Sequence, residues 1–281
     1  MIIDFHAHIF PKVIRKNREK YFPSEHAFKL LYRSHDAKLV GAKELVDSMD
    51  EQGVDKSVVF GFPWENQETF KTHNDYIMEA VAKYPQHLIG LCCLDPSCRG
   101  AAKEALRCFD GGLAGIGELA FYLSGIDEEA LKKLNPLMEI CQDKDFPILI
   151  HTNEPVGHDY PGKTPNTMRQ IYDLIKRFPN NTIVLAHWGG GIFFYNLLKK
   201  DVKESLKNIY FDTAASPFLY DTYIYKYAKE IVGLEKILFG SDFPLLKPAR
   251  YFKELAQSGL SKDNMDSICG RNAARILKLK V

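Results

Sequence analysis

Residues 1–10 read MIIDFHAHIF and place two histidines, His6 and His8, directly after a short apolar run. The run predicts a buried β-strand, and side chains two positions apart in a strand point to the same face. Both imidazoles would therefore face one point, which is the geometry of a pair of metal ligands. An isolated H-x-H pair also occurs at ordinary junctions between a strand and a loop, so the rest of the chain must decide between the two interpretations.

Apolar runs rich in β-branched residues recur along the sequence and alternate with segments of helical periodicity. The alternation predicts βα units, and strands that are apolar throughout predict a parallel sheet that is covered on both faces. Eight such runs predict an α/β fold of the (β/α)8 TIM-barrel class, with parallel strands and closing C-terminal helices. The runs are IIDF (2–5), VDKSVVFGF (54–62), HLIGLCCL (87–94), GLAGIGEL (112–119), FPILIHT (146–152), TIVLAHW (182–188), NIYFDT (208–213) and KILFGSDF (236–243).

The composition is that of an ordinary globular chain, with 46% hydrophobic and 26% charged residues among 281. No linker divides it, so we expect a single domain over residues 1–281. The formal net charge is +1 and the basic residues are scattered, which predicts no binding to nucleic acid or to a membrane surface. Because the sequence shows neither a signal peptide nor an apolar span, we expect the protein to be cytoplasmic and to act on a small molecule. Residues 10–39 form a long connection that we expect over the barrel mouth.

Side chains that can bind a metal stand at the carboxyl ends of five predicted strands. In a βα barrel these ends surround one mouth, where active sites of this architecture are built. The set contains imidazoles and carboxylates without cysteine, so it suits zinc, manganese or iron(II), with zinc as the default and one or two ions per chain. The candidate ligands are His6 and His8 after the first strand, Glu118 after the fourth, His151 after the fifth, His187 after the sixth and Asp242 after the eighth.

Five motifs together resemble the amidohydrolase superfamily, in particular the amidohydrolase-2 branch of metal-dependent TIM-barrel hydrolases and decarboxylases. They are DFHAHI, GIGELAFY, ILIHTNEP, LAHWGGG and ILFGSDFP, and they span the first to the eighth strand. The resemblance implies that His6, His8 and His151 bind metal, and that Asp242 binds metal and handles protons. It implies that His187 either binds a second ion or stands beside a single ion as an acid/base. A homodimer is a further expectation from the resemblance.

Glu118 occupies the strand-four position where many superfamily members with two metals carry a carboxylated lysine. A glutamate can bridge two ions in the same way, and the decarboxylating members usually lack an acidic group there, so Glu118 favours hydrolysis. The other interpretation is that Glu118 orients a ligand histidine from outside the metal's own ligands.

We therefore predict a metal-dependent hydrolase in which a metal-activated water attacks the carbonyl of an amide, a lactone or an ester. Asp242 would act as general base and then acid, with His187 in support, and these are the predicted catalytic residues. The alternative function is a nonoxidative decarboxylase of an aromatic or unsaturated carboxylic acid, in which His187 and Asp242 protonate the carbon. A degenerate barrel that binds metal without catalysis is less compatible with the intact ligand set.

The loop after the fifth strand, HTNEPVGHDYPGK (151–163), carries side chains that could contact a substrate. Loops at the mouth of a rigid scaffold commonly bind ligands, although any one of these residues could instead be solvated. The predicted substrate-binding residues are Asn153, His158, Tyr160 and Lys163.

Overall fold

Eight short parallel strands form the wall of a barrel in the computed structural model, which describes residues 1–279. Each strand coincides with one of the apolar runs of the sequence. The strands are β1 (Ile3–His8), β2 (Lys56–Phe60), β3 (Leu88–Gly90), β4 (Ile116–Leu119), β5 (Ile148–Ile150), β6 (Ile183–Leu185), β7 (Ile209–Asp212) and β8 (Ile237–Leu238).

The strands pair in chain order as a group of three, β1 to β3, and a group of five, β4 to β8. Backbone hydrogen bonds join the two groups at both edges. At one edge Cys92 N donates to Gly115 O and Gly117 N donates to Cys92 O, both at 2.9 Å. At the other edge Phe5 N donates to Phe239 O at 2.8 Å. These bonds close the ring, and the predicted parallel α/β barrel is confirmed.

Helices follow the strands and cover the outside of the barrel. None of those described within residues 1–279 combines the length and the apolar character needed to cross a membrane. The helices are α1 (Lys12–Lys16), α2 (His26–Tyr32), α3 (Ala42–Gln52), α4 (Gln67–Lys83), α5 (Ala101–Asp110), α6 (Glu128–Lys144), α7 (Met168–Arg177), α8 (Val202–Ser205), α9 (Ser216–Leu219), α10 (Tyr223–Val232), α11 (Pro248–Gln257), α12 (Lys262–Asp266) and α13 (Asn272–Ile276).

Helix α7 shows how local sequence sets these elements. Thr167 Oγ1 accepts a hydrogen bond from Gln170 N at 3.1 Å, and Gln170 Oε1 accepts one from Thr167 N at 2.9 Å. This reciprocal capping box satisfies two backbone donors that a helix start otherwise leaves free. Ile171, Leu174 and Ile175 recur at helical spacing and form the buried face of the helix. The start of α7 therefore also fixes the far end of the loop that follows β5.

One apolar cluster takes side chains from seven of the strands or their ends and is the barrel interior; Phe5, Phe60 and Val184 are among its fully buried members. Ala273 and Ala274 of α13 belong to the same cluster, so the C-terminal helix closes one end of the barrel, as the sequence predicted. The opposite end carries the strands' carboxyl termini and stays free for a site.

The connection after β1 lies over the mouth, where its length led us to expect it. Arg18 anchors it, because its Nη1 donates to the carbonyl oxygens of Tyr32 at 3.3 Å, Ser34 at 3.2 Å and Ala37 at 2.9 Å. Three bonds from one guanidinium hold the segment after α2 in a defined path. Side chains from this segment consequently form part of the cavity wall described below.

A buried histidine of α4 ties this helix to the first two strands. His73 Nδ1 accepts from Trp64 Nε1 at 2.8 Å, and because a carbonyl oxygen can only accept, His73 Nε2 donates to Ile9 O at 2.7 Å. The neutral ring thus uses both nitrogens, and His73 is 1% exposed. Burial lowers the pKa of His73 to about 4. Protonation would place a second donor opposite the Trp64 indole N–H.

We expect His73 to make the fold acid-sensitive. Its folded pKa lies below the ordinary 6.5, so the unfolded chain takes up the proton first, and stability is lost as pH falls from 6.5 to 4, by about 3 kcal/mol. The variant His73→Gln offers one acceptor and one donor without titrating. Denaturant unfolding at several pH values should show a shallower acid decline for His73→Gln than for wild type. The exposed-site control His35→Gln should follow wild type; identical slopes for all three proteins would contradict the assignment.

Candidate metal centre

The six predicted ligands converge at the carboxyl end of the barrel, although they come from five strands. His6 and His8 lie at the end of β1 and Glu118 lies in β4, while His151, His187 and Asp242 follow β5, β6 and β8. Their ligand atoms form three overlapping groups, and within each group the atoms lie within 4.8 Å of one another. The groups are His6, His8 and Glu118; His6, His187 and Asp242; and Glu118, His151 and His187.

The Glu118 carboxylate lies in the middle, with its two oxygens facing different histidines. Oε2 is 3.7 Å from His6 Nε2 and 3.6 Å from His8 Nε2. Oε1 is 3.0 Å from His151 Nδ1 and 3.7 Å from His187 Nε2. The two halves of the cluster thus share one carboxylate, which is the placement that a carboxylate bridging two ions requires.

Hydrogen bonds on the far side of three rings aim the near side at the cluster. His6 Nδ1 lies 2.8 Å from Asp212 Oδ2, His8 Nδ1 lies 3.0 Å from Gly61 O, and His187 Nδ1 lies 2.9 Å from Ala214 O. All three partners are acceptors, so each Nδ1 donates. In the neutral ring Nε2 then carries the lone pair that can bind a metal, an arrangement typical of metal-binding histidines.

The donor set fits a divalent ion. His6 Nε2 is buried and has no hydrogen-bond partner among residues 1–279, and an unpaired buried polar atom is costly. Asp242 Oδ1 lies 3.6 Å from His6 Nε2 and 3.5 Å from His8 Nε2. These spacings are long for hydrogen bonds, but they are close to the roughly 3.4 Å that separates two ligands around a tetrahedral ion with bonds of about 2.1 Å. A cation between these atoms would satisfy the orphaned nitrogen.

The ionisable side chains of the cluster shift one another's pKa values. Burial alone would raise the pKa of Glu118, but the neighbouring His6 and His151 hold it well below its usual range. Burial would lower the pKa of His6, yet Glu118 and Asp212 outweigh burial and raise it to about 10. Burial together with the His6 charge lowers the pKa of His8. In the absence of an ion the cluster therefore holds a proton, which a metal must displace, so metal binding should weaken in acid.

Two site residues have a backbone conformation that favours glycine. His187 has φ 54° and Asp242 has φ 58°, both in the left-handed region. Backbone bonds hold them there, because His187 N donates to Asp212 Oδ1 at 2.9 Å and Asp242 N donates to His6 O at 2.9 Å. Non-glycine residues persist in this region where their surroundings determine it, as at active sites.

The glycines after His187 allow close packing beneath the β5 loop. Gly190 has φ +61°, and a Cβ there would lie 2.2 Å from Asn153 O. Only glycine fits both requirements. The LAHWGGG motif therefore brings the backbone against the β5 loop next to His187.

A cavity of about 560 Å³ opens above the cluster. His8, Glu118, His151, His187 and Asp242 contribute to its lining, so they form a polar floor. No sequence motif marks the wall, because its residues follow several different strands. Their shared feature is a position beyond the carboxyl end of a strand. The aromatic and apolar wall residues include Leu31, Tyr32, Phe62, Tyr122, Phe218, Leu219 and Leu245.

The four predicted substrate-binding residues fall into two pairs. His158 and Tyr160 line the cavity. Asn153 does not line it: its Oδ1 accepts from Thr164 N at 2.8 Å and folds the loop. Lys163 is also outside the lining, and its Nζ donates to His158 O at 3.2 Å. Asn153 and Lys163 thus shape the loop that carries the other two, and substrate contact by any of the four stays a prediction.

A closed parallel barrel with histidines and carboxylates clustered at the strands' carboxyl ends defines a metal-dependent enzyme of the TIM-barrel type. The chain belongs to the amidohydrolase family, whose model matches residues 3–279. The resemblance that the motifs carry is therefore confirmed. A comparison with curated protein sequences finds no match.

Solved structures share the fold at low sequence identity. One is 5-carboxyvanillate decarboxylase LigW from Sphingomonas paucimobilis, with 19% identity, a TM-score of 0.80 and coverage of 100% of this chain and 99% of that chain. A second is 5-carboxyvanillate decarboxylase from Novosphingobium aromaticivorans with manganese and 4-hydroxy-3-methoxy-5-nitrobenzoic acid, with 16% identity, a TM-score of 0.80 and coverage of 99% and 96%. A third is a dihydroxybenzoic acid decarboxylase from a Polaromonas species with manganese and 2-nitroresorcinol, with 19% identity, a TM-score of 0.71 and coverage of 99% and 96%.

We expect His6→Ala to weaken divalent-ion binding strongly, because it removes the buried nitrogen that lacks any other partner. The apparent Kd for Mn²⁺ or Zn²⁺, measured by isothermal titration calorimetry, should rise at least about 100-fold, the upper end of what the loss of an outer partner of a ligand costs. The control His26→Ala alters an exposed histidine of α2 and should leave the Kd unchanged. Wild-type affinity in His6→Ala would remove His6 from the ligand set.

Proposed function

We propose that the chain is a metal-dependent decarboxylase that removes carbon dioxide from an aromatic or unsaturated carboxylic acid without an oxidant. The observation that carries this proposal is the division of the cavity into an aromatic wall and a charged floor. Phe62 and Tyr122 lie nearly parallel, at 16° and 6.4 Å between ring centroids, and both belong to the wall. A planar unsaturated substrate suits such a wall through its π-faces.

The charges around the cavity indicate where the acid group of a substrate would lie. Among the described lining residues Lys38 is the one lysine or arginine, and it is exposed. Nearby lysines are engaged elsewhere, since Lys163 Nζ lies 3.4 Å from Glu154 and Lys247 Nζ lies 3.7 Å from Glu51. Among the described wall residues no lysine or arginine is therefore placed to neutralise a substrate carboxylate that lies deep in the cavity. A divalent ion held by the floor would supply that positive charge.

The reaction breaks the bond between the ring or alkene carbon and the carboxylate carbon. Carbon dioxide leaves, the electron pair stays on the carbon, and a proton must take the vacated position. His187 is suited to deliver it as an imidazolium, because its Nδ1 donates to Ala214 O and its Nε2 faces the Glu118 carboxylate. Burial would lower the pKa of His187, but Glu118 and Asp242 outweigh burial and raise it. Asp242 lies beside the same histidines and can pass a proton from solvent to the site.

The named activities of the three solved structures described above agree with this proposal. They are decarboxylases of aromatic acids, and two of them contain manganese together with a nitro-substituted aromatic compound. Manganese is therefore as good a candidate as the zinc expected from the sequence, because both accept imidazole and carboxylate ligands. Of the one or two ions per chain expected from the sequence, a single ion fits decarboxylation and a pair fits hydrolysis.

Hydrolysis of an amide, a lactone or an ester is the second candidate, and the position of Glu118 favours it. Both of its oxygens face histidines, so this carboxylate could join two ions in the way that the sequence prediction assumed. Two bridged ions suit attack by water on a carbonyl, whereas one ion beside a free His187 suits decarboxylation. Metal stoichiometry and a substrate panel therefore separate the two functions.

We expect the protein loaded with Mn²⁺ or Zn²⁺ to release carbon dioxide from at least one hydroxylated benzoic acid or muconate-type acid. In D₂O the product should carry one deuterium at the vacated carbon. His187→Asn should lower kcat by about 100-fold or more, the usual contribution of a general acid, whereas the exposed control His26→Gln should not. Turnover of carboxylated lactones, esters or amides, with no carbon dioxide from any acid, would replace decarboxylation by hydrolysis.

A further inference from the structure

We propose that Asp212, at the end of β7, is a positioning residue that orients His6 and His187 together. It was not among the site residues predicted from sequence, because NIYFDT gives no sign of which face its aspartate occupies. Asp212 is 0% exposed and lies outside the lining of the cavity, so it acts on substrate or metal only through other residues. The inference concerns the orientation of ligands and holds for either reaction.

Three donors meet on the two oxygens of Asp212. Oδ2 accepts from His6 Nδ1 at 2.8 Å, while Oδ1 accepts from His187 N at 2.9 Å and from Ala214 N at 3.0 Å. A buried carboxylate with three partners is well satisfied, and its position is fixed because β7 pairs with β6 on one side and β8 on the other. The carboxylate therefore connects β1, β6 and β7 at one point.

Asp212 controls His187 in two ways. It accepts from the backbone N–H of His187, which holds this residue at its left-handed φ of 54°. It also holds Ala214 N, and the carbonyl of Ala214 in turn accepts from His187 Nδ1 at 2.9 Å. The backbone and the ring of His187 consequently depend on the same carboxylate that fixes the His6 ring. The two ring centroids lie 5.4 Å apart.

The charge state of residue 212 matters because all three partners are donors. An asparagine offers one acceptor and one donor, so Asp212→Asn must turn its amide N–H₂ towards one side. If it faces His6, the ring must accept at Nδ1 and carry its proton on Nε2, which removes the metal-binding lone pair. If it faces His187 N and Ala214 N, both backbone donors lose their partner. Either outcome disturbs the floor without changing the size of the side chain.

The test combines metal affinity with the tautomer of His6, so a failure of the proposed reaction would not affect it. In Asp212→Asn the Kd for Mn²⁺, measured by calorimetry, should rise about 10- to 100-fold, the usual cost of losing an outer partner of a metal ligand. ¹⁵N NMR of the zinc-loaded wild type should show the His6 proton on Nδ1. The matched control is Glu104→Gln, which alters another buried carboxylate, bonded to Asn74 and Arg107 away from the cluster, and it should keep wild-type affinity.

Three results would overturn the assignment. One is an unchanged Mn²⁺ affinity in Asp212→Asn. Another is an equal loss of affinity in Glu104→Gln, which would indicate a general loosening of the barrel. The third is a wild-type His6 that carries its proton on Nε2, and this measurement decides the matter even if Asp212→Asn does not fold.

Discussion

The closure of the barrel is the constraint on which the site depends. His6 and Asp242 lie near opposite ends of the chain, and they meet because Asp242 N donates to His6 O at 2.9 Å where β8 returns to β1. Asp4 reinforces this contact, since its oxygens accept from Ser241 N at 2.8 Å and Ser241 Oγ at 2.5 Å. Burial raises the pKa of Asp4 to about 6 against these bonds. The first and the last of the predicted metal ligands are thus brought together by the same hydrogen bonds that complete the fold.

A floor of imidazoles and carboxylates is costly to bury unless the charges compensate one another. The Glu118 carboxylate lies close to four histidines, and the Asp212 carboxylate accepts hydrogen bonds from two of them. Each charged group of the floor is therefore compensated by several neighbours. Within the described part of the chain Nε2 of His6 has no hydrogen-bond partner, and a cation bound there would satisfy it. The same feature that weakens the metal-free protein therefore provides affinity for metal, a coupling of binding to stability that is typical of metal sites.

The fold and the floor were predictable from sequence because both follow from periodicity. Buried parallel strands leave continuous apolar runs, and a histidine or carboxylate directly after such a run must lie at the mouth, which is how His151 and His187 were found. Asp212 also ends a strand, but whether its side chain faces the cavity or the neighbouring strands depends on twist and register, which sequence does not give. Tyr32 was missed for a different reason: it lies on the long connection after β1, whose path is set by tertiary contacts such as those of Arg18.

This division between floor and wall explains why the chemistry is easier to infer than the substrate. The floor residues stand on strand ends, where backbone pairing and left-handed turns at His187 and Asp242 leave little freedom. The wall residues stand on the loops and short helices that follow the strands, and such connections can change in length and sequence without disturbing the barrel. Structures with 16% to 19% identity accordingly share the fold of this chain. The aromatic wall is accordingly the feature of this chain on which the proposal of a planar acid substrate rests.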